Sequence, residues 1–308
     1  MPSPANHMPD ELKDIINANP SVEFEQARFG ACLLINNHVA SARISLFGGH
    51  LLSYVPNVDK RDRLWLSEKA IYDSETPIRG GVPICWPWFG ANKRVIGAPS
   101  HGFVRTQIWT LLKVQETSNS EGKIIDTVCT LVPSQLGLHE VPKGLELILN
   151  ISIGSTCEIK LSTYNNSQQT IALSQAIHSY FAISDIQQIS IHGLDSNYYN
   201  KLDDSAGNLS PKPYQIVGET DRVHSLPPLP NNRVKQNISI SENQADMVNI
   251  EQTGHNGTVV WNPWINKSRG MKDMSSKGYK KMLCIEAVSE PEILLSPGQQ
   301  HVLTQQFR

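Results

Sequence analysis

The feature that most constrains this chain is a succession of short apolar runs suited to strands, with almost no helical spacing between them. They include 31–35 (ACLLI), 42–47 (ARISLF), 124–132 (IIDTVCTLV), 145–153 (LELILNISI), 158–164 (EIKLSTY), 170–183 (TIALSQAIHSYFAI), 247–251 (MVNIE), 258–262 (TVVWN), 281–288 (KMLCIEAV) and 302–307 (VLTQQF). Turn residues separate them at short, irregular intervals, which suits many antiparallel strands in a sandwich or barrel. The 19 prolines and 20 glycines supply the loops such a fold needs. A helix is predicted only over Asp10–Asn17, with Asp10 as its cap and Pro20 preventing continuation. The expectation is an all-β chain: a large antiparallel β-sandwich with few short helices. It divides into an N-terminal helical extension over 1–20 and a single sandwich domain over 21–308. The stretch 203–232 is the least strand-like and reads as a long irregular excursion.

Hydrophobic residues make up 39% of the 308 positions and charged residues 18%, enough apolar mass for a sizeable core. The 27 basic and 29 acidic side chains leave a formal charge of −2. So balanced a chain has no broad electrostatic claim on nucleic acid or an anionic membrane, and a charged ligand must be met by a local cluster. No apolar run approaches the roughly 18 residues of a membrane helix. The N-terminal stretch carries acids where a signal peptide has a basic and then an apolar segment. The five cysteines are odd in number, widely spaced and mostly set in strand-like runs, which predicts reduced, buried thiols and a cytoplasmic location. A monomer is expected, without a nucleic-acid or membrane partner. The sequence has no Walker A loop, GxGxxG, HExxH or CxxC, so neither a cofactor nor a metal is expected. The segment 97–102 (GAPSHG) misses the spacing of a nucleophile elbow.

Chemistry-bearing residues concentrate in a few places. Residues 76–90 hold Trp86, Trp88, Phe89, Arg79, prolines and glycines in one stretch. Taken singly, each Trp reads as a core plug at one end of a sandwich; taken with Arg79, the set reads as an aromatic sugar cleft. Arg79 precedes Gly80 and Gly81, whose backbone N–H groups would help it hold an anion. Residues 100–105 add His101 and Arg105, and two guanidinium forks can neutralise a phosphate dianion. In 175–181, strand alternation puts Ala176, His178 and Tyr180 on one face. In 282–288, Glu286 shares a face with Met282 and Cys284 inside an apolar strand. A carboxylate there must be paired, hydrogen-bonded or functional, and burial would raise its pKa toward that of a usable base. Cys284 reads as a small buried hydrophobe.

The segments IRGGVPICWPWFG (78–90), SHGFVR (100–105), AIHSYF (176–181), GETDRV (218–223), VVWNPW (259–264) and CIEAV (284–288) together resemble the hexose-6-phosphate mutarotases of the aldose 1-epimerase superfamily. The motifs stand in family order and span residues 22 to about 305. The resemblance implies a galactose-mutarotase-like β-sandwich, no metal, and interconversion of the anomers of a hexose 6-phosphate such as glucose 6-phosphate. It implies His178 and Glu286 as the catalytic pair, Arg79 and Arg105 as holders of the substrate and its phosphate, and Asp221 as a substrate-binding carboxylate. His101 and Trp86 would line the cleft. Where the family often has glutamine before HGF, this chain has Ser100.

Three other readings share these residues. An epimerase of unphosphorylated sugars would use the same pair but has no need of two arginines. A non-catalytic carbohydrate-binding sandwich would use the aromatics alone and rarely needs a carboxylate within an apolar strand. A glycosidase would use two carboxylates, such as Glu286 with Asp221, at a separation that sequence does not give.

Overall fold

The computed structural model describes residues 8, 10–28, 30–92, 94–139, 141, 143–207, 209–210, 212–226, 235–243 and 245–308. Two eight-stranded antiparallel sheets dominate it. The first runs in space Ser205–Gly207, Tyr198–Asn200, Thr220–Ser225, Gly257–Asn262, Met282–Val288, Ala176–Ile177 and Ile84–Cys85, with Tyr180–Ala182 also paired to Met282–Val288. The second runs Ile189–His192, Gln236–Glu242, Ala245–Thr253, Gln300–Phe307, Cys157–Asn165, Leu145–Ile153, Ile124–Pro133 and Trp109–Ser118. A four-stranded sheet over residues 22–56 and a ribbon of Ile171–Leu173 with Ile293–Leu295 complete the strands. The fold is the expected β-sandwich with few helices, Asp10–Asn17 and Trp264–Gly270 being its α-helices among the described residues. Leu12 and Ile16 of the first helix are buried in the main apolar cluster.

The strand Met282–Val288 shows how the layers form. Successive side chains of a strand point to opposite faces. Leu283, Ile285 and Ala287 enter the main core toward the second sheet. There Phe181 meets Phe307 edge-on at 5.2 Å, and the Gln305 side-chain amide donates to the Ile285 carbonyl at 3.0 Å. Met282, Cys284, Glu286 and Val288 take the opposite face, two of them in a cluster with Trp261 and Tyr180. Every residue of this strand is buried, so both faces are covered.

Some expectations need correction. The run 170–183 is three short strands, Ile171–Leu173, Ala176–Ile177 and Tyr180–Ala182. The breaks fall where polar groups are committed elsewhere: the Gln175 side-chain oxygen Oε1 accepts from the Thr163 hydroxyl, and the Ser174 and His178 backbone N–H groups donate to the Pro87 and Pro83 carbonyls. The excursion 203–232 contains the strands Ser205–Gly207 and Thr220–Ser225, while 208, 211 and 227–232 lie outside the described residues. Of the extension 1–20, residues 1–7 and 9 also lie outside them. All five cysteines are buried and free. No helix among the described residues is long and apolar enough to cross a membrane.

Candidate active site

The outer face of the first sheet forms a platform whose side chains are set by register. Directly paired residues of antiparallel strands point to the same side. One cross-strand row reads Asp221, Trp261, Cys284, Tyr180. The next reads Val223, Val259, Glu286. Pairing of Ile177 with Ala287 and of Tyr180 with Cys284 sets His178 across from Glu286. Alternation thus brings together two polar residues that lie more than a hundred positions apart in the chain.

His178 Nδ1 lies 3.2 Å from Glu286 Oε1, with the residues 8% and 1% exposed. The contact has ion-pair length without hydrogen-bond alignment, and both His178 Nδ1 and Glu286 Oε2 are buried without a hydrogen-bond partner in the fold. An unmet buried polar atom costs about 1–3 kcal/mol, so the pair is a local cost to the stability of the fold. Burial pushes the Glu286 carboxyl well above its ordinary range, opposed chiefly by the charge of Lys201, while Asp221 pushes the same way as burial. Burial also pushes the His178 imidazole well below its ordinary range, reinforced by His101, Arg105 and Arg79. Each partner is driven toward its neutral form.

Arg79 reaches the pair through a relay. Its Nε pairs with Asp273 Oδ2 at 2.9 Å and its Nη1 donates to the Tyr180 hydroxyl at 2.8 Å. The Tyr180 ring stacks on His178 at 4.9 Å with the planes 3° apart. Of the two glycines that follow Arg79, Gly81 does not offer the free N–H group expected of it, because that group donates to the Trp65 carbonyl at 2.8 Å. Arg105 sits in a short 3-10 turn over Val104–Thr106 and donates from Nη2 to the Ser100 carbonyl at 2.7 Å. It is close enough for its charge to act on both His178 and Glu286.

His101 is positioned by backbone conformation. It takes φ of 64°, in the left-handed region, and Gly102 follows at φ of 74°. A Cβ at position 102 would stand 1.8 Å from the Trp86 carbonyl oxygen, so the turn needs glycine there. The turn lays the His101 ring 4.8 Å from Phe89 and 5.9 Å from His178. Burial pushes His101 down to about 3, with Arg105, Lys201 and Arg79 adding to it. Asp221 is half-buried, and burial raises its pKa against the pull of Lys201 and Lys267.

The platform therefore gathers His178, Glu286, His101, Arg79, Arg105 and Asp221. Trp86 stands apart from them. It is 0% exposed, its ring meets Phe103 edge-on at 5.8 Å, and its indole N–H donates to Thr163 Oγ1 at 3.1 Å. It fills the core between the sheets, and the aromatics beside His178 are Tyr180 and Trp261 instead.

Sequence reasoning passed over Lys201, Phe89 as its ring partner, and Asp273. Lys201 N–H donates to the Asp221 carbonyl at 2.8 Å, and its Nζ lies 4.4 Å from the Phe89 ring centroid. Nothing in the segment YYNKLDD (198–204) signals this, since the placement depends on strand pairing. Asp273 lies 194 residues from Arg79 and carries no local motif.

A buried His–Glu pair beside convergent cations on one sheet face can exchange protons with a polar ligand. The aldose 1-epimerase family matches residues 31–308, and the chain belongs to that family of isomerases. It is 31% identical over 263 residues to an Escherichia coli (strain K12) protein provisionally named glucose-6-phosphate 1-epimerase, covering 84% of this chain and 83% of that one. It is 30% identical over 272 residues to a protein of Cenchrus ciliaris with the same provisional name, covering 84% and 78%. Among solved structures, a provisionally assigned mutarotase from Salmonella typhimurium superposes with a TM-score of 0.80 at 29% identity, covering 94% of this chain and 93% of that one.

Proposed function

We propose that this epimerase interconverts the α and β anomers of an aldohexose 6-phosphate, with glucose 6-phosphate the first substrate to test. The observation that carries this reading is the buried His178–Glu286 pair on a platform that also collects Arg79, Arg105 and Lys201. Arg79 is already paired with Asp273, but Arg105 and Lys201 form no ion pair with a carboxylate among the described residues, and a free sugar brings no charge to meet them. The relatives' shared provisional name supports the same substrate.

Mutarotation opens the hemiacetal, turns the C1–C2 bond and closes the ring on the other face of the aldehyde. Opening removes the proton of the C1 hydroxyl and delivers one to the ring oxygen. Glu286 takes the first proton and His178 gives the second, and closure runs both transfers backwards. The pair must enter the cycle holding one proton between its members, and a 3.2 Å contact allows that proton to be shared. Arg105 and Arg79 disfavour the imidazolium in the free site. A phosphate dianion set against those guanidinium groups offsets their field, so His178 charges more readily when a phosphorylated sugar is bound. Asp221 orients a sugar hydroxyl from the neighbouring row, and His101, held neutral, accepts or donates a hydrogen bond at the cleft wall.

The test is rapid polarimetry of freshly dissolved α-glucose 6-phosphate and of α-galactose, each with and without the protein. The expected result is a protein-dependent acceleration for the phosphorylated sugar far above that for galactose. Equal acceleration of both would remove the phosphate from the reading, and no acceleration of either would remove epimerisation of these sugars.

A further inference from the structure

The platform carries a group that the proton transfers do not use. The Sγ of Cys284, a ring nitrogen of His178 and a carboxylate oxygen of Glu286 all lie within 4.8 Å of one another. Two of these residues are alternate members of one strand, and the third lies in the break between Ala176–Ile177 and Tyr180–Ala182, both of which pair with that strand. All three are more than nine-tenths buried. The unpartnered atoms of the site, His178 Nδ1 and Glu286 Oε2, belong to this trio.

Thiolate, imidazole and carboxylate are the donors that zinc-like ions take, commonly as three protein ligands with a fourth position left to water. Bond lengths of about 2.0–2.3 Å put neighbouring donors of a tetrahedral site about 3.3–3.8 Å apart, so adjustments of roughly an ångström complete the geometry. Charge also fits. The thiol and the carboxyl release their protons to water, and one dication with a thiolate, a carboxylate and a neutral imidazole sums to zero. A neutral assembly is tolerated in a buried site that Arg79, Arg105 and Lys201 would otherwise close to a cation.

We infer that a divalent transition-metal ion of the zinc type binds at Cys284, His178 and Glu286 and switches the enzyme off by occupying both proton-transfer groups. The ion acts as an inhibitor competing with the sugar, so metal exposure would gate the enzyme. The inhibition rests on the proposed roles of His178 and Glu286; the binding does not.

The test adds Co2+ to the full chain, with a phosphine reductant present, and records near-ultraviolet absorption. A thiolate-to-cobalt charge-transfer band is expected, and Zn2+ should abolish it. Cys284→Ala should remove the band, as should Cys284→Ser, which keeps the size of the side chain but not the sulfur. Zn2+ inhibition of anomer exchange, each protein normalised to its own metal-free rate, should then need at least about tenfold more metal in both variants. A band absent from the parent chain, or persisting in either Cys284 variant, overturns the inference. So does unchanged zinc sensitivity in both variants. A Cys284-dependent band in a protein that accelerates no anomer exchange would leave the metal site standing and overturn the proposed function instead.

Discussion

Replacing Glu286 with Gln should make the protein slower and more stable at once. The carboxyl is 1% exposed, and its Oε2 has no partner in the fold. Burial is the main cause of its raised pKa, so its ionised form is better accommodated in the unfolded chain. For a group whose folded pKa lies above its unfolded value, the stabilising contribution is complete below the unfolded pKa and is lost as pH rises through the folded one. At neutral pH the parent chain therefore carries a penalty that the neutral amide avoids. Leaving a buried polar atom unmet costs about 1–3 kcal/mol, and the amide, still imperfectly paired, should recover about 1 kcal/mol of it. In a chain of this size that corresponds to a rise of about 2 °C in Tm. The gain should be present at pH 8 and vanish near pH 4, where the parent carboxyl is protonated in both states. The same variant should lose at least about a hundredfold in turnover, the ordinary weight of a general acid or base. Thermal unfolding from pH 4 to 8 supplies the first readout. Magnetisation transfer between the C1 protons of glucose 6-phosphate, with a chelator present, supplies the second. A Glu286→Gln protein that melts lower than the parent at every pH would refute the electrostatic reasoning, and one that exchanges anomers at the parental rate would refute the role of the carboxylate.

Three other substitutions probe the surroundings of the pair. Arg105→Ala should raise KM for glucose 6-phosphate by about ten- to a hundredfold, the equivalent of about 1.5–3 kcal/mol for a hydrogen bond to a charged group, while residual turnover of free glucose changes little; equal losses on both sugars would dismiss the anchoring role. Lys201→Met removes the foremost charge that lowers the Glu286 pKa, so the acid limb of kcat against pH should move to higher pH, and an unmoved limb would place Lys201 outside the field of the carboxylate. Gly102→Ala adds a Cβ 1.8 Å from the Trp86 carbonyl oxygen at φ of 74°, so it should lower Tm by several degrees or abolish soluble expression; a parental melting curve would show that the turn can relax.

Much of the fold was legible because its strands alternate cleanly. Leu145–Ile153 buries every second side chain, and the expected run has the observed bounds. Glu286 was conspicuous because a carboxylate inside an apolar strand needs a reason. Other elements hide from such reading. Trp109–Ser118 is exposed or half-exposed along most of its length, with a register shift between Leu111 and Lys113, so its alternation is diluted. Thr220–Ser225 is polar in sequence and gains strand character from partners on both sides. Trp86 illustrates the limit of composition: it lies in an aromatic segment beside the site, yet the chain turns its indole inward to Thr163. Lys201 and Asp273 come to the platform through pairing and packing across long stretches of chain, which no local pattern announces.

The strand Met282–Val288 is apolar on both faces except for the single carboxylate of Glu286, and this has a consequence for how the sheet assembles. A slip of one residue against Gly257–Asn262 would turn every side chain over, driving Glu286 in among the apolar groups now occupied by Leu283, Ile285 and Ala287. A lone carboxylate in that environment is costly enough to reject the slipped pairing, whereas a purely aliphatic strand, greasy on both faces, would discriminate far less between the two alignments. The carboxylate thus acts as a proofreader of the sheet, and the Glu286→Gln chain, though steadier once folded, should be less faithful in finding its register.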